Sequence, residues 1–494
     1  LGELALDAAV TGSDNTAIGK SALTLNTSGQ KNTAVGAIAL DANTTGSHNT
    51  AVGYAALTAN TEGDSNVSVG WKSLELNTTG TQNVAVGRDA LGENTTASNN
   101  IAVGFNALNA NTTGSSNTSV GAYSLDANTT GGNNVGIGIN TLSQNTTASD
   151  NTAVGAGAMD GNTTGARNTA VGRGALDVNT TANNNTAIGY NCLDANTTGT
   201  ENVSVGAFSM GANTTGGQNT ALGESALGNS TTASNNTAIG KNALVQNTTG
   251  AQNTAVGSGA LDANTTSLDN TAVGYNALTS ITTGQNCTAV GSKALEDNTG
   301  SDNTGLGYQA LANNTSGDDN TAVGRNALRV STTADHNTAV GNEALGANTT
   351  GAQNTAVGST SLDANTTGNY NAAFGYDTLG SNTEGDSNTA LGYEAMDTNT
   401  TGNNNVAVGK GALDGNTTAD HNTAVGYHSL LVNSTGTQNT AVGSLALDAN
   451  TTANNNTAVG FQALTANTTG TQNTAVGSTA LDANSTGDKN SAFG

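Results

Sequence analysis

The chain has 494 residues, with 36 Asp and Glu against 12 Lys and Arg, a net charge of −24, 66 glycines and no proline. That balance lacks the dense Lys and Arg that phosphate binding needs, so neither nucleic acid nor an anionic membrane surface is an expected partner. No apolar run approaches the roughly 18 residues of a membrane span, so membrane insertion is not expected either.

From Asn15 a 17-residue phrase close to N-T-A-V-G-x-x-A-L-x-x-N-T-T-G-x-x restarts at Asn32, Asn49, Asn66 and on to Asn490, 29 times with one change of spacing. Self-similarity at a fixed short period is the signature of a solenoid. A unit of 17 residues cannot bury a core of its own against a backbone entropy cost of about 1 to 2 kcal/mol per residue, so it folds only by stacking on its neighbours. The fold class expected is all-β, a parallel β-solenoid (β-roll or β-helix) of about 29 coils. Residues 1–494 then form a single repetitive domain, a rod about 140 Å long at ~4.8 Å per coil. Bare solenoid ends are unpaired strand edges, which predicts that the chain is a section of a longer one or that copies stack end to end.

Along the phrase the predicted elements are strand, corner, strand, corner. Position 1 is Asn in every copy but Cys287, and position 12 is Asn with Ser230, Ile281 and Ser331 as exceptions. Stacked Asn columns predict hydrogen-bonded side-chain ladders. Position 2 exchanges Thr with Val or Ile, as at Val67, Val84 and Ile101, and position 4 is always apolar, as at Ile18, Val35, Leu222 and Phe374. β-Branched residues in period two predict a strand rather than a helix.

Position 9 is Leu or Met, and positions 4 and 9 together are the expected core; the small Ala that dominates positions 3 and 8 implies a thin coil whose facing strands lie close. Position 5 is Gly in every copy, a backbone requirement set by positive φ or by close approach of the next coil. The deletion in Asn298-Thr299-Gly300 falls in the turn, where length changes are tolerated. With Ile281 and Cys287 it makes residues 280 to 300 the least regular stretch, where a local bend is expected. Cys192 and Cys287 lie about six coils apart, beyond disulfide reach, and read as stand-ins for a buried Ala and an Asn.

The strings Thr33 to Gly36 (T-A-V-G) and Val84 to Gly87 (V-A-V-G), each followed by Ala-Leu, resemble the head repeats of trimeric autotransporter adhesins. They are also similar to repeat shafts of phage tail fibres. The resemblance implies a parallel β-roll, three chains side by side, and an address at the surface of a cell or a virion.

No catalytic constellation interrupts the repeat. His48, His336 and His421 share one column at least about five coils apart, and His428 lies in another, so a His metal pair is not expected. Asp41, Asp126, Asp194 and Asp262 recur at position 10 without the calcium-repeat signature. No cofactor and no metal is expected.

Position 6 is the candidate binding edge. It holds Tyr54, Trp71, Phe105, Tyr190, Tyr275, Tyr308, Tyr376, Tyr393, Tyr427 and Phe461, and six of the basic residues including Arg88, Arg173 and Arg325. A column that also admits Ala, Ser and Glu faces solvent, where aromatics and cations can meet glycans, matrix or a neighbouring fibre. The Asn-Thr-Thr turn supplies glycosylation sequons at Asn43, Asn77, Asn111 and Asn450, with a turn and ladder role as the competing reading. The function expected is a non-enzymatic structural or adhesive extracellular fibre, partnered with itself as a homotrimer or filament. Alternatives are a phage tail fibre shaft and an ice- or carbohydrate-binding solenoid. Ice recognition is disfavoured because the paired Thr are adjacent in a turn.

Overall fold

A computed structural model describes residues 2–494 and divides the chain into two compact units, Leu1–Ala251 and Gln252–Gly494. Each is a parallel β-solenoid. The first carries strands β1 (Thr16–Ile18) to β14 (Thr237–Ile239), the second β15 (Thr254–Val256) to β29 (Ser491–Phe493), and no helix occurs among the described residues. Within each unit, successive strands pair in parallel one phrase apart, as in Thr33↔Thr50, Ala34↔Ala51 and Val35↔Val52.

Each coil contains one three-residue strand, over positions 2 to 4, and not the two expected. The reason is backbone conformation on the far side of the coil. Positions 7, 9 and 17 adopt left-handed φ, illustrated by Ile38 (53°), Leu40 (55°) and His48 (61°). At about 1 to 2 kcal/mol per residue this is unfavourable for L-residues, yet it points their N–H groups along the solenoid axis. Ile38 N donates to Lys20 O (2.9 Å), Leu40 N to Ala56 O (3.0 Å) and His48 N to Gln30 O (2.9 Å). The coils are therefore tied together outside the strands as well, by a ladder that is not a β-sheet.

The position-5 glycine satisfies both alternatives drawn from the sequence. Gly53 has φ 137°, and a Cβ there would lie 2.2 Å from Gly70 O of the next coil. No side chain fits between such closely apposed backbones.

The core corrects the sequence reading in one column. Outside the terminal coils, Leu or Met at position 9 is fully buried, as are Ala at positions 3 and 8. Position 4 is not in the core: Ile18 is 51% exposed, Leu222 48% and Phe374 40%. In a three-residue strand the middle side chain points one way and its two neighbours the other. Ala at position 3 takes the inward direction, which sends positions 2 and 4 outward together. Period two was correctly expected and its phase was reversed, the one-residue ambiguity that exchanges the faces of any strand.

Two amide columns fill the remaining interior. Asn43 Nδ2 donates to Asn26 Oδ1 of the previous coil (2.8 Å) and to Gly46 O of its own turn (2.9 Å). Asn49 N donates to Asn32 Oδ1 (2.9 Å), and Asn32 Nδ2 donates to the same Gly46 O (2.9 Å). A carboxamide is suited to this place because it donates and accepts at once. At the exceptions the ladder falters: Ser230 Oγ and Ser331 Oγ are buried without partners, and so is Asn213 Oδ1, one coil before Ser230. Cys287 keeps the position-1 pattern in weakened form, its N accepted by Asn270 Oδ1 (2.9 Å) and its Sγ donating to Gly300 O (3.3 Å).

The deletion is absorbed inside its turn. Asn298 Nδ2 reaches Gly300 O (2.8 Å) two residues on instead of three, and Thr288↔Thr304 through Val290↔Leu306 keep full strand register. Cys192 occupies a buried Ala position and donates to Ser204 Oγ (3.0 Å).

A third ladder escaped the sequence reading. Position 16 side chains accept from the backbone N–H of the same position one coil earlier, in runs such as Asn369 N to Asp386 Oδ1 (2.6 Å), Asp386 N to Asn403 Oδ1 (2.8 Å) and Asn403 N to Asp420 Oδ1 (2.6 Å). Because Ser, Asp and Asn all accept there, no single residue type marks the column.

Candidate functional site

The Gly corner at position 5 throws position 6 outward, and every aromatic there is exposed, Trp71 at 42% and Tyr275 at 56% among them. Where the column is aromatic or basic in consecutive coils, the rings and cations stack on one another. In the first unit Tyr54 stacks on Trp71 (centroids 6.3 Å apart, 16° between planes), Arg88 lies 4.9 Å from Trp71 and 5.6 Å from Phe105, and Phe105 meets Tyr123 edge-on at 5.2 Å. Tyr190 meets Phe208 in the same manner at 5.2 Å.

In the second unit Tyr376 stacks on Tyr393 at 5.5 Å, Lys410 Nζ sits 5.1 Å from Tyr393, and Tyr427 stacks on His428 at 3.8 Å. Arg325 Nη1 lies 3.6 Å from Glu343. Tyr275, Tyr308, Phe461 and Arg173 join no ring, cation–π or ion pair among the described residues. The edge is thus a set of short stacks separated by isolated side chains.

Sequence reasoning missed the position-7 partners of these stacks, Tyr123, Phe208 and His428. Positions 6 and 7 both face outward because position 7 is left-handed, a conformation no side-chain pattern announces.

Beside this edge runs a flank built from positions 7, 10 and 11. Ion pairs cross it within a coil: Lys72 to Glu75 at 2.9 Å and Lys293 to Glu296 at 3.0 Å. The carboxylate hydrogen bond raises each lysine pKa. Position-10 carboxylates here are half-buried, and burial holds Asp126, Asp194 and Asp262 above the usual carboxylate range. Asp397 is pushed up to about 6, by burial first and then by Asp377 and Asp414.

At four position-10 glycines the flank opens into clefts, 370 Å³ over Gly92, 360 Å³ over Gly211 and Gly228, and 330 Å³ over Gly346, whereas the space beside Gly380 is taken by Asp377 and Asp397. Among the described residues, no group of three His, Cys, Asp or Glu is placed to hold a metal ion.

The sequon asparagines belong to the ladders. Asn43, Asn77, Asn111 and Asn450 are fully buried, with Nδ2 already donating, as Asn77 does to Asn60 Oδ1 (2.9 Å) and Gly80 O (3.0 Å). In the folded coil these amides serve the turn and ladder.

The remaining surface feature is the strand face. Positions 2 and 4 project outward from every coil, and positions 2 to 4 contain no charged residue in any copy. The molecule is a parallel β-solenoid repeat protein with an interior Asn ladder. No protein-family model and no curated protein matches the chain.

Proposed function

We propose that this chain is a structural fibre segment that associates with copies of itself through its uncharged strand face, at the surface of a cell or virion. The observation that carries this reading is the outward apolar column at position 4, present in every copy. Contiguous exposed apolar surface of this extent marks an interaction site. With about 14 coils per unit at ~4.8 Å spacing and roughly 10 Å of width, the strip amounts to about 700 Å² in each unit. A stable interface takes roughly 800 Å² per partner.

Two further features favour a second copy as the occupant. A partner fitted along the strip must share its axial repeat, which another solenoid of the same sequence supplies. The acidic residues that give the net charge of −24 are all excluded from positions 2 to 4, so repulsion between copies does not act at the contact itself. The likeness of the core pentad to adhesin head repeats and tail-fibre shafts favours the surface address and a non-catalytic role.

The test is light scattering coupled to size exclusion on the purified chain and on a variant with Val52, Val86, Val120 and Val154 replaced by Lys. The wild type is expected at a multiple of 48.2 kDa, and the variant shifted to the monomer with an unchanged circular dichroism spectrum. A wild-type chain that stays at 48.2 kDa at tens of micromolar overturns the proposal.

A further inference from the structure

On a different surface, the cleft over Gly92 has the chemistry of a ligand site, and we propose that it binds a neutral oligosaccharide. This inference does not rest on self-association. The cleft exists because position 10 of this coil lacks a side chain, while the coils on either side carry Glu75 and Asn109 there. Its 370 Å³ spans parts of three coils, about 10 to 14 Å along the axis. That is the length of a short saccharide and lies at the lower end of small-ligand pockets.

The wall combines apolar surface with unengaged polar groups. Trp71, the only tryptophan, borders it together with Leu76. Arg88 and Tyr54 pack on the indole and fix its position. Among the described residues, nothing accepts a hydrogen bond from the Trp71 indole N–H, and neither the Glu93 carboxylate nor the Asn106 side-chain amide has a partner. The other charges are already matched: Lys72 with Glu75 at 2.9 Å, and Arg88 with Asp89 at 3.0 Å.

What remains is one indole donor, one carboxylate acceptor and one amide beside an aromatic and aliphatic wall. Hydroxyl groups, which donate and accept, complement that set, and the C–H faces of a sugar ring complement the apolar wall. An anionic glycan would meet Glu93 and the acidic chain as a whole, so a neutral one is the match. A polyamine would be drawn to Glu93 alone, because the other two carboxylates are paired.

Because Trp71 is the sole tryptophan, its emission reports on the cleft directly. The experiment titrates the full chain with cellohexaose, with N-acetylchitohexaose and with spermine. A saturable emission change is expected with at least one neutral hexasaccharide and none with spermine. Gly92→Leu fills the cleft with a residue that position 10 already accommodates at Leu431. The Cβ it adds would lie 2.9 Å from the movable Asn109 Nδ2. This variant and Glu93→Ala should each weaken binding at least tenfold with an unaltered circular dichroism spectrum, while Val52→Lys on the strand face leaves affinity unchanged. Silence with both hexasaccharides, a response that survives Gly92→Leu, or a response to spermine alone overturns the inference.

Discussion

Replacing Asn128 by Ala tests whether the interior amide ladder holds the coils together. Asn128 Nδ2 donates to Asn111 Oδ1 and to Gly131 O, both at 3.0 Å, and its Oδ1 accepts from Asn145 Nδ2 at 2.8 Å. After truncation Gly131 O still receives Asn117 Nδ2 (2.9 Å), and Asn145 Nδ2 still reaches Ala148 O (3.1 Å). Asn111 Oδ1 is left buried and unpartnered, the condition already seen at Asn213 beside Ser230. Three lost bonds at about 1 kcal/mol each, together with an orphaned acceptor, predict a loss of about 3 to 5 kcal/mol. In a stack coupled only through nearest neighbours the loss is local, so global melting is the wrong assay. Hydrogen–deuterium exchange resolves it: amides bridging these coils, such as Leu125 N to Thr141 O, should lose at least a hundredfold in protection, with distant coils unaffected. A change below tenfold would refute the claim that the ladder contributes to holding the coils. The converse substitution, Ser230→Asn, should raise local protection by supplying the donor that Asn213 Oδ1 lacks.

Gly53→Ala should abolish soluble expression, because its Cβ falls 2.2 Å from a backbone oxygen at φ 137°, whereas Gly157→Ala, with φ 67° and open space around it, should cost only about 1 kcal/mol, read as a few-fold loss of hydrogen-exchange protection in its own coil and the adjacent ones. Asp397, pushed up to about 6 in the fold, keeps its proton while the unfolded carboxyl ionises near 3.8. The folded state therefore binds more protons in that window, and stability falls as pH rises from about 4 to 6. Asp397→Asn should raise local stability at pH 7.5 by about 1 to 2 kcal/mol after allowance for solvent screening and leave it unchanged at pH 3.5, read by hydrogen–deuterium exchange of amides in its own and the adjacent coils. Burial holds the Cys287 thiol up to about 11 and raises that of Cys192 as well; an aromatic disulfide reagent at pH 8 should label neither in the folded chain and both in guanidinium.

Much of this architecture was legible without coordinates. The period, the invariant glycine of position 5, the buried leucine of position 9 and the outward position 6 each follow from what a column tolerates in 29 independent surroundings. The Asn columns followed as well, because only a side chain that donates and accepts can satisfy identical neighbours above and below. The candidate cleft over Gly92 was not legible. A glycine in a variable column reads as neutral until its neighbours in adjacent coils are known, and those neighbours are 17 residues away.

Two decisions belonged to the tertiary structure alone. One was the phase of the strand: Thr-Ala-Val alternates equally well with either face inward, and the outcome turned on the width of an interior already filled by leucine and two amides per coil. That space admits alanine and sends valine to the surface, turning a predicted core column into a surface column. The other was the far side of the coil, where left-handed residues replaced the expected second strand. Side-chain patterns carry no record of φ, so only the closed path of the backbone, with its N–H groups turned along the axis, could reveal it.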